Sequence, residues 1–212
     1  MVAGGEVVAR VSRGEVSPAA RAVAPGLVVA ALIYSVGDVS GAHFNPVVTL
    51  AFAIRRVFRW GYVPVYWTMQ FGGAVVAALV LRALFGRVAD AGASRARFGV
   101  DRAFVFEIIL TGILVFVVVS TATRHRLIGN DTALAVGGTI ALCGLFAAPI
   151  SGASMNPARS VGPALVAGAT KDLWLYVAGP VLGALVAVAL ATFLHPHRTR
   201  AEHEAAEGDG EQ

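Results

Sequence analysis

Long uncharged stretches separated by short, arginine-rich clusters set the pattern of this chain. Residues 22–37, 60–81, 132–150 and 173–194 carry no charged side chain, and 103–123 carry one, Glu107. A helix needs ~20 mostly apolar residues to cross a ~30 Å hydrocarbon core, so the pattern predicts five membrane-spanning helices, the first of them short. Two further apolar segments cannot span. Pro46 is followed by Arg55-Arg56 after nine residues, and Pro157 runs about a dozen residues before the polar stretch Gly168–Asp172. Both are expected to be half-helices. Between these elements lie the cluster Arg55, Arg56 and Arg59, a polar loop from Arg82 to Arg102, and Arg124-His125-Arg126 followed by a Gly129-Asn130-Asp131 turn. We therefore divide the chain into the expected remnant of a first helix with its connecting loop, 1–21, a membrane domain, 22–194, and a charged low-complexity tail, 195–212, expected to be disordered.

The two half-helices begin alike. Ser40–Pro46 reads S-G-A-H-F-N-P and Ser151–Pro157 reads S-G-A-S-M-N-P, 111 positions apart. Asn is a preferred N-cap and Pro suits the first helical position, where its missing N–H costs nothing. Tyr66 with Gly73-Ala74 likewise matches Tyr176 with Gly183-Ala184 at an offset of 110. Such small residues serve close helix contact. The chain is an internal repeat of the form span, span, half-helix, span, and the first repeat lacks most of its first span. The partner of 103–123 would fall mostly before Met1, so we expect the full protein to start roughly 25 residues upstream, a span and a short lead. Three full spans per repeat is an odd number, so the halves must insert with opposite orientation. Asn45 and Asn156 would then meet near the midplane with the positive ends of both helix dipoles. Asparagine amide hydrogens would serve as donors there, and the non-helical S-G-A segments would expose acceptor carbonyls, since such backbone is tolerated at membrane depth only when buried or lining a watery cavity. This describes a path for small neutral hydroxylic molecules that repels cations.

Composition agrees. Apolar residues are 57%, charged residues 14%, and mean hydropathy is +0.71, far from the soluble average, which makes this a multi-pass membrane protein. The single cysteine, Cys143, excludes an internal disulfide and argues against a cysteine-built metal site. Although the isoelectric point is near 9.8, the arginines sit at the ends of apolar runs and not along one stripe, which argues against nucleic acid as a partner.

The paired boxes, the Arg159 that follows the second, Glu107 and Gln70 resemble the aquaporin, or major intrinsic protein, family. The resemblance covers residues 1–194 apart from the missing first helix. It implies an all-α membrane fold, an inverted repeat of spanning helices with two re-entrant half-helices, six spans being usual where this chain has five. It also implies a passive channel, not an enzyme, with no catalytic residue, no metal and no cofactor, that forms a homotetramer in the lipid bilayer with a pore in each subunit. The pore boxes are Asn45, Pro46 and Val47 with Asn156, Pro157 and Ala158. Val47 departs from the family's usual Ala, for which a slight change in packing is expected. Glu107 is expected to hold the loop of the second box through backbone N–H groups, Gln70 to serve either packing or loop support, and His43 to line a vestibule. The four constriction positions fall at Pro25, Gly144, Ala153 and Arg159. Strict water channels resemble Phe, His, a small residue and Arg there, so this filter is expected to be wide and to pass water with glycerol, urea or a metalloid hydroxide. Gly144→His is expected to narrow it. Ser160 and Ala164, by contrast, follow the water-channel pattern. A bacterial plasma membrane is the expected location. Two alternatives stand beside the channel: a coupled secondary transporter, for which the spans offer no titrating group near the midplane except Glu107, and a truncated remnant that does not conduct.

Overall fold

The computed structural model describes residues 2–122 and 126–208, with backbone alone at 126–131. Helices α1 (Val2–Val11), α2 (Pro18–Ser40), α3 (Pro46–Ile54), α4 (Val63–Phe85), α5 (Val100–Ala122), α6 (Arg126–Ala147), α7 (Pro157–Ala167), α8 (Leu175–Leu194) and α9 (Arg200–Glu207) follow one another in the described residues. Four of them, α2, α4, α5 and α8, are long and apolar enough to cross a membrane. The fifth expected span falls in α6, whose 22 residues match a spanning length and whose described side chains, Thr132–Ala147, are apolar. It begins early because the Gly129-Asn130-Asp131 segment is helical and not a turn. Arg124 and His125 lie outside the described residues. The half-helices α3 and α7 have 9 and 11 residues. Laid end to end they make about one membrane thickness.

Three helix pairs carry most of the packing: α5 on α8, α2 on α6, and α4 on α7. The α2–α6 pair crosses at two glycines that occupy equivalent places in the repeat. A Cβ on Gly26 would stand 2.2 Å from the Gly137 carbonyl oxygen, and one on Gly137 would stand 2.4 Å from that of Gly26. Only glycine permits this approach of backbones. Gly183 does similar work for α8, where a Cβ would lie 2.3 Å from the Ile108 carbonyl of α5. Its counterpart Gly73, and Gly72 beside it, meet nothing within 4 Å among the described residues. The face of α4 equivalent to the α5-packed face of α8 is therefore bare, and Met69 on this helix is 71% exposed. Ala74 instead packs against Gly162 of α7.

Between these pairs α3 is almost wholly enclosed. Val47, Ala51 and Phe52 belong to one apolar cluster with Val115 and Val119 of α5 and Ala184 and Val188 of α8. Fixing a half-helix this way compensates for a length too short to be stable alone. At the far end of α7, Arg82 donates to the Val166 carbonyl, a cation where a helix C-terminus favours one.

The tail departs from expectation. Residues 200–207 form α9, capped by Thr199, whose hydroxyl accepts from the Glu202 N–H at 3.1 Å. This helix lies against α2 and α5. Its Glu202 is fully buried and ion-paired with Arg55, whose side chain is 2% exposed. The disorder expected for the tail fails over this segment, because a buried partner stands 147 positions earlier in the chain.

Candidate functional site

Each box is built by the same local chemistry. Gly41 and Ala42 have φ of +65° and +50°, and their repeat equivalents Gly152 and Ala153 have +86° and +43°. Two successive left-handed residues reverse the chain before each Asn, and glycine at the first makes that conformation cheap. Asn45 and Asn156 then sit in extended conformation as N-caps. Asn45 Oδ1 accepts from Val47 N–H at 3.2 Å, and Asn156 Oδ1 accepts from Ala158 N–H at 3.0 Å and Arg159 N–H at 3.3 Å.

The amide groups of these residues interlock. Asn45 Nδ2 donates to the Met155 carbonyl and Asn156 Nδ2 to the Phe44 carbonyl, both at 2.8 Å. Each asparagine thus grips the residue preceding the other, joining the ends of α3 and α7. This modifies the expectation that the asparagine amide hydrogens serve as donors to the lumen. An amide has two hydrogens, and one is committed to the opposite box.

Side chains from the long helices hold the loops. Glu107, fully buried in α5, accepts from Ser151 Oγ at 2.7 Å, Ser154 N–H at 2.9 Å and Met155 N–H at 2.8 Å. At the first box, Gln70 Nε2 donates to the His43 carbonyl and to Thr49 Oγ. Two residues noticed only as markers of the repeat also take part. Tyr66 donates to the Ser40 carbonyl at 3.0 Å and Tyr176 to the Ser151 carbonyl at 2.7 Å. Their offset of 110 lies within one residue of the 111 that separates the serines they grip, and that near-match was a readable signal.

His43 is not a vestibule residue. Its ring stacks on Phe52 at 5.0 Å and packs against Phe58 and Tyr66. It is buried, neither ring nitrogen is hydrogen-bonded among the described residues, and it is absent from the cavity lining. What the first box presents to the cavity is Gly41, Ala42, Phe44 and Asn45.

That cavity, about 800 Å³, runs past both boxes, and Pro25, Gly144, Ala153 and Arg159 all line it. Gly144, however, is also a packing residue. A Cβ there would lie 3.2 Å from the Cβ and the carbonyl oxygen of Ala22 on α2. A side chain added at 144 starts against α2 and not in open lumen, so Gly144→His acts first on the α2–α6 contact. Arg159 is held by the polar loop between Arg82 and Arg102, to which the sequence assigned no role. Its guanidinium donates to Ser94 Oγ and, at 3.3 Å, to the Gly92 carbonyl. Ser94 also shares a hydrogen bond with Ser160 at 2.7 Å, and Ser160 with Ser154 at 2.6 Å. Gly92 in turn lies close under α1, where a Cβ would meet the Ala3 backbone at 2.3 Å. No group of three His, Cys, Asp or Glu suited to a metal occurs among the described residues.

Comparison with known proteins agrees with this geometry. The family model described as major intrinsic protein matches residues 3–191. "Aquaporin NIP2-1" of Zea mays is 44% identical over 173 residues, covering 82% of this chain and 59% of the relative. "Putative aquaporin NIP4-1" of Arabidopsis thaliana is 49% identical over 166 residues, covering 76% and 57%. The chain thus spans a little under three fifths of the length of these two relatives. Among solved structures, the aquaglyceroporin from Plasmodium falciparum superposes with a TM-score of 0.79 at 21% identity, over 92% of this chain and 90% of that one, a likeness of fold. The chain belongs to the major intrinsic protein family.

Proposed function

We propose that residues 22–194 form a passive pore for water and small neutral solutes, closed to cations, and that the chain has no enzymatic step. The observation that carries this reading is the interlocked pair Asn45 and Asn156, which brings two helix N-termini together inside a single cavity. Two converging macrodipoles, each equivalent to about half a positive charge, disfavour a cation at that point while leaving a neutral molecule unaffected. Pro25, Gly144 and Ala153 put no bulky side chain beside Arg159 on the wall of that cavity, which supports a filter wide enough for glycerol, urea or a metalloid hydroxide as well as water. A homotetramer in the bilayer is the assembly we propose, on the family resemblance, to be checked by mass measurement in detergent. The relatives cited are plant proteins, so the expectation of a bacterial membrane has no support from them and forms no part of the proposal.

The test is stopped-flow light scattering on proteoliposomes, comparing water, glycerol and urea. We expect all three to exceed the rates of empty vesicles and to be independent of pH and ion gradients. Flux that follows an ion gradient would indicate a coupled transporter. One observation favours the other alternative, a chain that does not conduct: the bare face of α4 at Gly72 and Gly73 leaves one flank of the bundle thin. Rates equal to empty vesicles for every solute would decide for it.

A further inference from the structure

The end of the cavity beside the C-terminus of α2 is lined by the chain's own tail. Ala201, Glu204 and Ala205 of α9 line the cavity together with Gly37, Asp38 and Gly41 at the end of α2. The fit is close on the backbone. A Cβ on Gly41 would stand 2.5 Å from the Ala206 carbonyl, and one on Gly208 would stand 2.5 Å from that of Asp38. Ala206 is wholly buried in the apolar cluster that also contains Val118 of α5, another residue of the cavity wall.

What fastens α9 there is a charge pair out of water. Arg55 is the C-cap of α3, and both its Nε and Nη2 donate to the buried carboxylate of Glu202. Two buried charges are tolerable only when paired and further hydrogen-bonded, and Glu202 without Arg55 would be costly to bury. Arg55 also donates to Thr192 Oγ at 3.1 Å and to the His195 carbonyl at 2.7 Å, both on the α8 side of the linker. It would therefore keep two partners if Glu202 left. The asymmetry favours reversibility: the helix can lift away without stranding the arginine. A second, more exposed pair, Arg59 with Glu207 at 3.7 Å, adds little. Only residues 195–199 separate α9 from α8, and so short a tether keeps the helix at high effective concentration beside its site.

We infer that α9 is a tethered plug, an autoinhibitory helix that closes the mouth of the pore beside α3 and opens it by breaking the Arg55–Glu202 pair. The flux consequence rests on the pore reading above; closure of the mouth itself does not. Three variants undock the helix by different means: a chain ending at Pro196, Glu202→Gln, which removes the charge while keeping the shape, and Ala206→Trp, which overfills a buried site.

The primary readout is access to a thiol in the wall. Val118→Cys, placed in a Cys143→Ala background, is treated with N-ethylmaleimide in detergent. Entry from the far mouth is common to all chains and cancels in the comparison. We expect the labelling rate at 118 to rise at least about tenfold in the truncated and Ala206→Trp chains, with Glu202→Gln in between. Water and glycerol flux in proteoliposomes should rise severalfold in the same order. Equal labelling in the full and truncated chains overturns the plug, whatever the flux. Faster labelling with no flux in any variant upholds the plug and sinks the pore.

Discussion

At the scale of single residues, Glu107 shows how one buried charge can position a loop. Its two oxygens accept three donors from the second box, so Glu107→Gln turns one acceptor into a donor facing N–H groups. Leaving a buried donor unsatisfied costs about 1–3 kcal/mol. We expect a lower melting temperature in detergent, checked by scanning fluorimetry, with Glu107→Ala lower still. Ser94→Ala should behave differently. It removes one of the two groups holding the Arg159 guanidinium, so we expect near-normal stability but weaker discrimination between water and glycerol in stopped-flow measurements. The N-caps at Asn45 and Asn156 were legible because they depend on local chemistry, whereas a charge in an apolar span only marked Glu107, and the loop-holding role expected of it came from the family resemblance. His43, Gly144 and Ser94 were not legible. Which way a ring turns, where a missing Cβ would point, and which loop serine reaches an arginine 65 positions away are settled by tertiary packing that no local pattern records.

At the scale of elements, the repeat made the half-helices and the long helices readable, and it also explains the glycines. Gly26 and Gly137 face each other across the pseudo-symmetry axis, each within 2.4 Å of where the other's Cβ would intrude. Gly73, though equivalent to the tightly packed Gly183, meets nothing within 4 Å among the described residues. Valine should separate these cases. Gly26→Val or Gly137→Val must push α2 from α6, and overpacking of this kind typically costs about 1–3 kcal/mol. Gly73→Val should be nearly silent in this chain. Size-exclusion monodispersity and melting temperature would check both, and equal loss for all three would mean that α4 has a partner on that face. Helix α9 was illegible for the opposite reason. Its eight residues look like any solvated charged segment until Arg55 is placed beside Glu202.

At the scale of the whole molecule, the barrier to cations that we propose belongs to no single residue. It sums the N-terminal ends of α3 and α7, joined through Asn45 and Asn156, and the charge of Arg159 on the same cavity wall. Two helix ends of about half a charge each equal roughly one unit charge. A unit charge ~6 Å from a passing cation, at an effective dielectric of ~20, repels it by ~3 kcal/mol, about a hundredfold in rate. Arg159 and the helix pair should therefore contribute comparable shares. Arg159→Val removes one share and leaves the other, since the Asn156 cap uses the backbone N–H at 159 and not the side chain. We expect proton and cation leak to rise by up to about two orders of magnitude, while water flux persists and the fold is unchanged. Asn156→Ala should differ on both counts, because losing the cap costs ~0.5–2 kcal/mol and also frees the Phe44 carbonyl, so folded yield should fall along with ion exclusion. A pH-sensitive dye trapped in proteoliposomes, read beside stopped-flow water transport, distinguishes the two. Unchanged leak in Arg159→Val with water flux intact would place the whole barrier at the helix ends, and unchanged leak in both variants would contradict the electrostatic account altogether.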